Sequence, residues 1–364
     1  MYNKHMLIVL KHHFIYGGKI MSNTYNNIKI SLASPTEILS WSKGEVKKTE
    51  TINYRTLKPE PTGIFCEKIF GSIKNYQCPC ARGKRGVDIE YFCKNCGTEY
   101  LTNEESSKMM GHIDLVVPIL NPCVYISLSR LLKLSYMQLK RILYKDLFVV
   151  LEPVNTRLSK KQTIDRKEYT QYIESFDGFA AVTGVKAIKF LINDIDYEVF
   201  LSELKKELYS EDNDKKQLAS IKIELIESIL KSDVKLDWLF LERLLILPAS
   251  QRPLILLEDG TYKCTEINEK YRRIIHCNNM LKSMFSQKAP QLLIDYKERE
   301  LNDFIKDLFD YFIFENNTSY VKCKDTITLV SGVKPISINS EKNLDQVIIE
   351  GKALGLKIEP FINY

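Results

Sequence analysis

The sequence predicts an α+β protein with several domains, and three observations support this prediction. Four cysteines lie close together among short segments that alternate apolar and polar residues. A long middle stretch shows the apolar spacing of amphipathic helices. Around residue 290, two helical patterns of about 20 residues each are separated by a short break. With 364 residues, 45% of them hydrophobic, the chain is long enough for two or three cores.

Short strands and turns are expected in the first part of the chain. Alternation and three prolines favour them over residues 27–61, with one helical turn at residues 35–39. Residues 115–120 are apolar but include Pro118, so we expect an edge strand there at best. The wholly apolar run at residues 147–151 predicts a buried strand.

Helices are predicted from residue 132 to residue 144 and again between residues 167 and 247. In the second stretch, three apolar faces follow one another. The acidic run at residues 211–214 lies between two of these helices and lacks the spacing and the terminal Glu of an EF-hand. We therefore interpret it as a solvated connection between helices.

Two long helices are predicted at residues 265–285 and 292–314, and Pro290 is well placed to open the second. They would form an antiparallel hairpin roughly 30 Å long with polar tips. The pattern leaves two interpretations open: a projecting surface that binds a partner, or an ordinary helical pair packed into the core. Four aspartates of the second helix are interpreted as a solvated face: Asp295, Asp303, Asp307 and Asp310.

Two pairs of cysteines flank a basic loop. The pairs are Cys78 with Cys80 and Cys93 with Cys96, and 12 residues separate them. This spacing can bring four thiolates around one tetrahedral Zn²⁺ in a closed, structural site. The alternative is four unrelated cysteines, buried or disulfide-bonded. The loop carries cations that would offset the negative charge of a zinc site; they are Arg82, Lys84 and Arg85.

Composition restricts the class of protein. The total of nine cysteines is odd, and five of them are scattered, which favours a reducing compartment over a secreted disulfide framework. The net charge of +6 fits local basic surfaces that face nucleic acid. No stretch approaches the length of about 18 apolar residues that a membrane span needs, so no membrane partner is expected.

The first 20 residues are interpreted as a disordered or misassigned leader, with Met21 as a second candidate start and a targeting segment as the alternative. The chain is rich in Lys, Asn, Ile, Tyr and Phe, which have AT-rich codons. This bias indicates a reduced genome. We therefore expect a plastid protein, as in an apicoplast, with the bacterial cytoplasm as the alternative.

Several strings occur in a fixed order along the chain. They are IKISLASP at residues 28–35, WSKGEVKK at 41–48, ETINYRT at 50–56 and GIFCEKIFG at 63–71, with shorter strings at 110–115, 149–153, 247–253 and 271–279. Together they resemble the N-terminal half of the β′ (largest) subunit of bacterial-type DNA-directed RNA polymerase, especially its plastid version. The resemblance covers residues 28–314, and the number of collinear strings makes it specific.

The resemblance implies roles for these features. The four cysteines resemble the ligands of the zinc-binding element, which lies beside exiting RNA and upstream DNA. There the three loop cations would contact phosphates. The alternative is that these cations are solvated and bind nothing. Residues 257–265 resemble the lid, and residues 265–314 resemble the clamp helices, which dock a σ-type initiation factor. The implied partner-binding residues are Arg272, Arg273, Asn279, Lys282, Lys297 and Arg299.

The implied layout divides the chain into six parts. They are a leader (1–20), an N-terminal region (21–115) with the zinc-binding element at about 66–100, a mixed and then mainly helical clamp region (116–247), a lid-like loop (248–264), the clamp-helix hairpin (265–315) and a divergent C-terminal tail (316–364). His112 matches a family position, but no nucleophile or metal-ligand spacing surrounds it in the sequence, so we expect a structural, hydrogen-bonded histidine.

Two departures from the family pattern stand out. Cys277 occupies a position where the family usually has arginine, and the charges of residues 297–300 are arranged differently. The chain also lacks the clustered aspartates that hold the catalytic Mg²⁺ of the whole enzyme. We therefore expect a non-catalytic piece, naturally split or truncated, that works with the β and α subunits, the remainder of β′, a σ-type factor, DNA and nascent RNA. The alternatives are a free-standing zinc-ribbon protein and a non-functional gene remnant.

Overall fold

The computed structural model of the chain describes residues 27–53, 55–56, 58–72, 74–80, 92–209, 212–231, 234–258, 262–315, 332–335 and 344–361. The predicted leader and the three loop cations lie outside the described residues. No helix in the described ranges is both long and apolar enough to cross a membrane.

Helices and strands are mixed along the described chain. The first half contains β1 (Asn27–Leu32), α1 (Pro35–Trp41), β2 (Ser42–Glu45), β3 (Ile52–Asn53), β4 (Lys58–Pro59), α2 (Glu67–Phe70), α3 (Asn103–Ser106), β5 (Met110–Leu120), α4 (Tyr125–Leu131), α5 (Tyr136–Leu143), β6 (Leu147–Glu152), β7 (Thr163–Asp165), α6 (Arg166–Ser175) and β8 (Ala180–Val182). The second half contains α7 (Gly184–Asn193), α8 (Tyr197–Glu207), α9 (Asn213–Lys231), β9 (Phe240–Ile246), β10 (Ile255–Leu256), β11 (Tyr262–Lys263), α10 (Glu266–Ser286), α11 (Gln291–Asp310), β12 (Gly332–Pro335), α12 (Leu344–Ala353) and β13 (Leu356–Phe361). The predicted α+β class is confirmed.

The central sheet has the order β2-β5-β9, so β5 is its middle strand. Residues 115–120 are nevertheless paired on one side at most, because β2 pairs with residues 110–112 and β9 pairs with residues 119–120. The expectation of an edge strand therefore holds for this part of β5. Pro118 is tolerated because the ladder between β5 and β9 is interrupted between Asp114 and Ile119, where a missing N–H costs no ladder bond. The side chain of Asn278 fills part of this gap, since its Oδ1 accepts from the N–H of Val116 at 3.0 Å.

Residues 167–247 are mostly helical, as α6 to α9 confirm, but two strands interrupt the prediction. The larger error is β9, which is buried along most of its length. A short apolar run buried on both sides has the same periodicity as a segment of buried helix, so the pattern alone did not separate them. The acidic run predicted as a connection between helices overlaps the start of α9, which begins at Asn213, and Glu211 lies outside the described residues.

The last two described strands pair with the first described strand. Strand β1 lies between β12 and β13, and both pairings are antiparallel. The N–H of Ala33 donates to the carbonyl of Gly355 at 3.1 Å, and Nδ2 of Asn121 donates to the carbonyl of Leu354 at 2.9 Å. Gly355 has φ +71° and a Cβ there would lie 2.9 Å from Leu241, so the turn before β13 requires glycine.

The described residues pack into one large core and two small ones. The large core joins β1, the central sheet, the helices α4, α5, α7, α8 and α9, and both long helices of the C-terminal half. A second core lies under the β7-β6-β8 sheet and α6, where the rings of Phe148 and Tyr169 stack at 4.1 Å. It confirms the buried strand predicted at residues 147–151. The third core surrounds the four cysteines.

Candidate metal centre and helical hairpin

The four cysteines converge on one point. Their sulfur atoms all lie within 4.8 Å of one another. Sγ of Cys80 is 3.2 Å from Sγ of Cys78 and 3.6 Å from Sγ of Cys93. A tetrahedral ion with Zn–S bonds of about 2.3 Å requires sulfur separations of about 3.8 Å. The two separations from Cys80 are slightly shorter than this, and none of the sulfur separations exceeds 4.8 Å. The donor set therefore fits a closed four-thiolate site.

A tight turn shapes the second cysteine pair. The N–H of Gly97 donates to the carbonyl of Cys93 at 2.8 Å, and the N–H of Cys93 donates to the carbonyl of Thr98 at 2.9 Å. Gly97 has φ +69°, a conformation that glycine adopts without strain. The turn folds Cys96 back over Cys93 and places both sulfurs on the same side.

The turn also lowers the proton affinity of the thiol of Cys93. The backbone N–H groups of Cys96 and Asn95 stabilise its thiolate and lower its pKa to about 6. A hydrogen bond to this sulfur raises the pKa of Tyr100, whose buried ring completes the small core around the cysteines. Because metals bind thiolates rather than thiols, a lowered pKa favours metal binding near neutral pH.

Two contacts near the metal centre were missed by sequence reasoning. Nζ of Lys58 donates to the carbonyl of Pro79, between the first two cysteines, at 2.8 Å. Lys43, which lies in β2, forms an ion pair with Glu99 at 3.2 Å and so connects the four-cysteine element to β2. Both lysines come from distant parts of the chain, so no local spacing could have indicated them.

Helices α10 and α11 form an antiparallel hairpin, close to the predicted bounds. Residues 287–290 connect them, and Pro290 precedes the first helical residue of α11. Lys270 pairs with Asp307 at 2.9 Å across the base of the hairpin. Further along, the thiol of Cys277 is buried against the carbonyl of Lys297 at 3.6 Å. The small thiol therefore lies between the helices, where burial raises its pKa to about 12.

Helix α10 is anchored to the central sheet and to the segment that follows β2. Nδ2 of Asn278 donates to the carbonyl of Asp114 at 2.8 Å, in addition to the bond with Val116. Asn279 is exposed and donates to the carbonyl of Lys47 at 2.8 Å. Nε of Arg272 donates to the carbonyl of Thr49 at 3.1 Å. The base of the hairpin therefore belongs to the large core.

The six predicted partner-binding residues are not equally available. Arg273 and Lys282 are exposed, and among the described residues neither has an ion-pair partner. The other four make intramolecular contacts: Arg272 and Asn279 as above, Lys297 with Glu300, and Arg299 with Asp146 at 2.6 Å. Sequence spacing alone did not distinguish these two groups.

The tip of the hairpin is less polar than expected. Leu292 and Tyr296 are 67% and 64% exposed, and Leu293 and Phe285 are also exposed. The apolar spacing of the first helix places Phe285 on its apolar side, whereas the structure leaves this ring 40% exposed. The prediction of polar tips was wrong for these positions.

The four aspartates of α11 do not form one solvated face. Asp295 is buried, and it pairs with Lys145 at 2.8 Å and with Arg166 at 3.5 Å. Lys145 also pairs with Glu298 at 2.5 Å. Here the expectation was wrong, because the turn before β6 packs against α11. The other three are paired as well: Asp303 with Tyr144, Asp307 with Lys270 and Asp310 with Lys306.

His112 is buried in β5, where its Nδ1 lies 2.7 Å from the hydroxyl oxygen of Ser42 and its Nε2 lies 3.5 Å from a carboxylate oxygen of Asp114. The cluster of cysteines is the one group of potential metal ligands that the described residues bring together. The expectation of a structural, hydrogen-bonded histidine is therefore confirmed.

The comparison with known families now decides between the interpretations of the sequence. The chain matches the family described as RNA polymerase Rpb1, domain 1, over residues 22–326. The chain belongs to this family. It corresponds to an N-terminal part of the β′ subunit of DNA-directed RNA polymerase, as the sequence strings predicted. The match includes the four cysteines, both long helices and the central sheet.

Several curated relatives carry the name DNA-directed RNA polymerase subunit beta′. The protein from Natranaerobius thermophilus is 38% identical over 299 residues, which are 79% of this chain and 24% of the relative. The protein from Onion yellows phytoplasma is 37% identical over 294 residues, 79% of this chain and 22% of the relative. The protein from Clostridium botulinum is 38% identical over 294 residues, 79% of this chain and 25% of the relative.

The chain thus spans about a quarter of the length of these curated relatives. All three come from bacteria, which fits the bacterial alternative for the source of the chain; the plastid expectation finds no support among them.

Proposed function

We propose that this β′ segment is a non-catalytic part of DNA-directed RNA polymerase that holds nucleic acid and docks an initiation factor. The family match over residues 22–326 carries the proposal, because it includes both the four-cysteine element and the helical hairpin. A free-standing zinc-ribbon protein would need only the cysteines and is not favoured. Catalysis would require the other polymerase subunits, the remainder of β′ and Mg²⁺ held by ligands outside this chain.

The four cysteines would hold one structural Zn²⁺. The converging sulfurs and the lowered pKa of Cys93 support this assignment. Purified protein should contain about one zinc per chain, measured by mass spectrometry of metals. Cys93→Ser should lose the ion, whereas the matched variant Cys264→Ser, at a half-buried cysteine outside the cluster, should keep it. Metal-free wild-type protein of unchanged stability would refute the site.

The loop between the cysteine pairs would contact phosphates of DNA or RNA through Arg82, Lys84 and Arg85. Each phosphate contact releases counterions, so replacing all three by Ala should lower the slope of log affinity against log salt by about 2 to 3. Lys205→Ala with Lys206→Ala, on the exposed side of α8, is the control and should leave the slope unchanged. Equal slopes for all three proteins would leave the loop as an ordinary solvated segment.

The hairpin would dock a σ-type factor. Its exposed apolar tip supports this role, and so do the exposed cations Arg273 and Lys282, which have no ion-pair partner among the described residues. Arg273→Glu should weaken binding of the factor about tenfold and leave DNA binding unchanged, as measured by biolayer interferometry. Lys186→Glu, an exposed cation on α7, is the matched control. An equal loss for both variants, or an equal loss of DNA binding, would remove the assigned role.

The charge reversal avoids Arg272 because its guanidinium also holds Thr49 and Glu269. A variant at that position would mix partner binding with local unfolding. For the same reason, Lys297 and Arg299 are now expected to support the hairpin rather than to contact the factor.

A further inference from the structure

Arg252 is the largest side chain that the fold buries completely, with an exposed fraction of 0%. It follows β9, an edge strand of the central sheet, and precedes β10, where the lid-like loop was predicted. Within the described residues, no carboxylate forms an ion pair with it. Burial without such a partner lowers the pKa of its guanidinium to about 10.

Three neutral acceptors from separate parts of the chain surround this guanidinium. Nε donates to the carbonyl of Leu247 at 2.8 Å, at the end of β9. Nη2 donates to the carbonyl of Ile64 at 2.5 Å, just before α2 and the cysteines. Nη1 donates to Oδ1 of Asn268 at 3.0 Å, in the first turn of α10.

The contact with the hairpin is reciprocal. Nδ2 of Asn268 donates to the carbonyl of Arg252 at 2.8 Å and to the hydroxyl of Thr265 at 2.8 Å. On the other side, the rings of Phe65 and Phe70 lie 4.8 Å and 4.5 Å from the guanidinium carbon. The cation is therefore held between the segment that leads to the metal centre and the base of the hairpin.

Within the described residues this buried cation has no counter-ion, so its burial carries a large cost in desolvation free energy. A hydrophobic side chain of similar volume would satisfy packing at lower cost. Arginine offers a rigid planar fork whose donors point in fixed directions, together with faces that stack on aromatic rings. The three acceptors, on three segments of the chain, bind donors that point in these fixed directions. Packing alone would not require directed donors.

From this arrangement we propose that Arg252 is a positioning residue that fixes the orientation of the four-cysteine element relative to the helical hairpin. The inference rests on the proposed function, in which these two parts provide the nucleic-acid and partner surfaces. A fixed orientation would let one polymerase assembly engage both surfaces at once. The proposal concerns geometry, so its test does not require that either partner binds.

The test is a distance measurement by pulsed electron resonance on the purified full chain. Phe92, on the cysteine element, and Leu292, at the hairpin tip, are exposed and can be replaced by a ketone-bearing amino acid that takes a nitroxide. This chemistry leaves all cysteines intact. The wild-type background should give one narrow distance distribution, and Arg252→Met should broaden it about twofold. Arg252→Lys keeps the charge without the fork and should fail to restore the width.

The matched control is Arg243→Met, which removes a half-buried arginine that pairs with Asp114 on a single neighbouring strand. It should leave the distribution narrow. A narrow distribution in folded Arg252→Met protein would overturn the proposal, even if the melting temperature is lower. That result would show that Arg252 contributes to core packing but does not set the orientation. Restoration of the width by Arg252→Lys would equally overturn the role of the fork.

If Arg252→Met does not fold, Asn268→Ala decides the question. It removes both hydrogen bonds between Arg252 and the Asn268 side chain, together with the bond from Asn268 to Thr265, and leaves the contacts with Leu247 and Ile64. The distribution should broaden here too, and an unchanged width would refute the proposal. Loss of σ binding by Arg273→Glu is read in a separate assay, so failure of the proposed function and failure of this inference are distinguishable.

Discussion

Asn278 provides the sharpest test of how the hairpin is anchored to the sheet. Residues 115–118 of β5 lie opposite a single residue of β9, Glu242, so this part of the ladder is open. The buried side chain of Asn278 accepts from the N–H of Val116 at 3.0 Å and donates to the carbonyl of Asp114 at 2.8 Å. An amide side chain from α10 thus makes two of the hydrogen bonds that a neighbouring strand would otherwise make.

Asn278→Ala removes both bonds and leaves one N–H and one carbonyl unpaired. Each unpaired buried group costs about 1–3 kcal/mol, but Val116 is only half-buried, so water can replace part of the loss. We therefore expect a total cost of about 1–3 kcal/mol for opening this part of the sheet. Amide exchange of residues 114–118 should accelerate about 5- to 150-fold.

The assay is hydrogen exchange followed by mass spectrometry, because a chain with several cores need not unfold in two states. Asn279→Ala is the matched control one residue away, since Asn279 is exposed and makes a single bond to Lys47. It should change exchange in residues 114–118 by less than about twofold. Equal protection in Asn278→Ala and wild type would refute the view that this side chain completes the ladder.

Two further predictions concern buried titratable groups. Burial alone would raise the pKa of the Asp295 carboxyl, but hydrogen bonds from Lys145 and Gln291 lower this pKa overall. The charged carboxylate therefore stabilises the fold at a pH above the unfolded-state pKa of about 4, and this stabilisation is lost as the pH falls through the lower folded-state pKa. Asp295→Asn should therefore lower the melting temperature at pH 7, and this difference should shrink as the pH falls below about 4. A difference that stays constant as the pH falls would contradict the ion pair. For Cys277, burial raises the thiol pKa to about 12, so iodoacetamide at pH 8 should label it only after denaturation. Peptide mapping measures this, and rapid labelling of the native protein would mean that the helices separate.

The sequence already contained much of the candidate site. Ligand spacing predicted that all four cysteines converge, because two closely spaced pairs joined by a short loop can readily reach one ion. The bounds of α10 and α11 followed from apolar periodicity and from Pro290, both of which act within a few residues. The collinear strings then indicated the family, which the match over residues 22–326 confirmed.

Only the tertiary structure decided the features that depend on distant partners. Strand β5 occupies the middle of its sheet despite Pro118, because β9 and Asn278 share its hydrogen bonds. The pairing of β13 with β1 joins segments more than 300 residues apart in sequence, which no local pattern encodes. The same reason explains why Arg273 and Arg299 differ in their contacts on the hairpin. Local periodicity makes both available as surface cations, and only the packing of the turn before β6 against α11 engages Arg299.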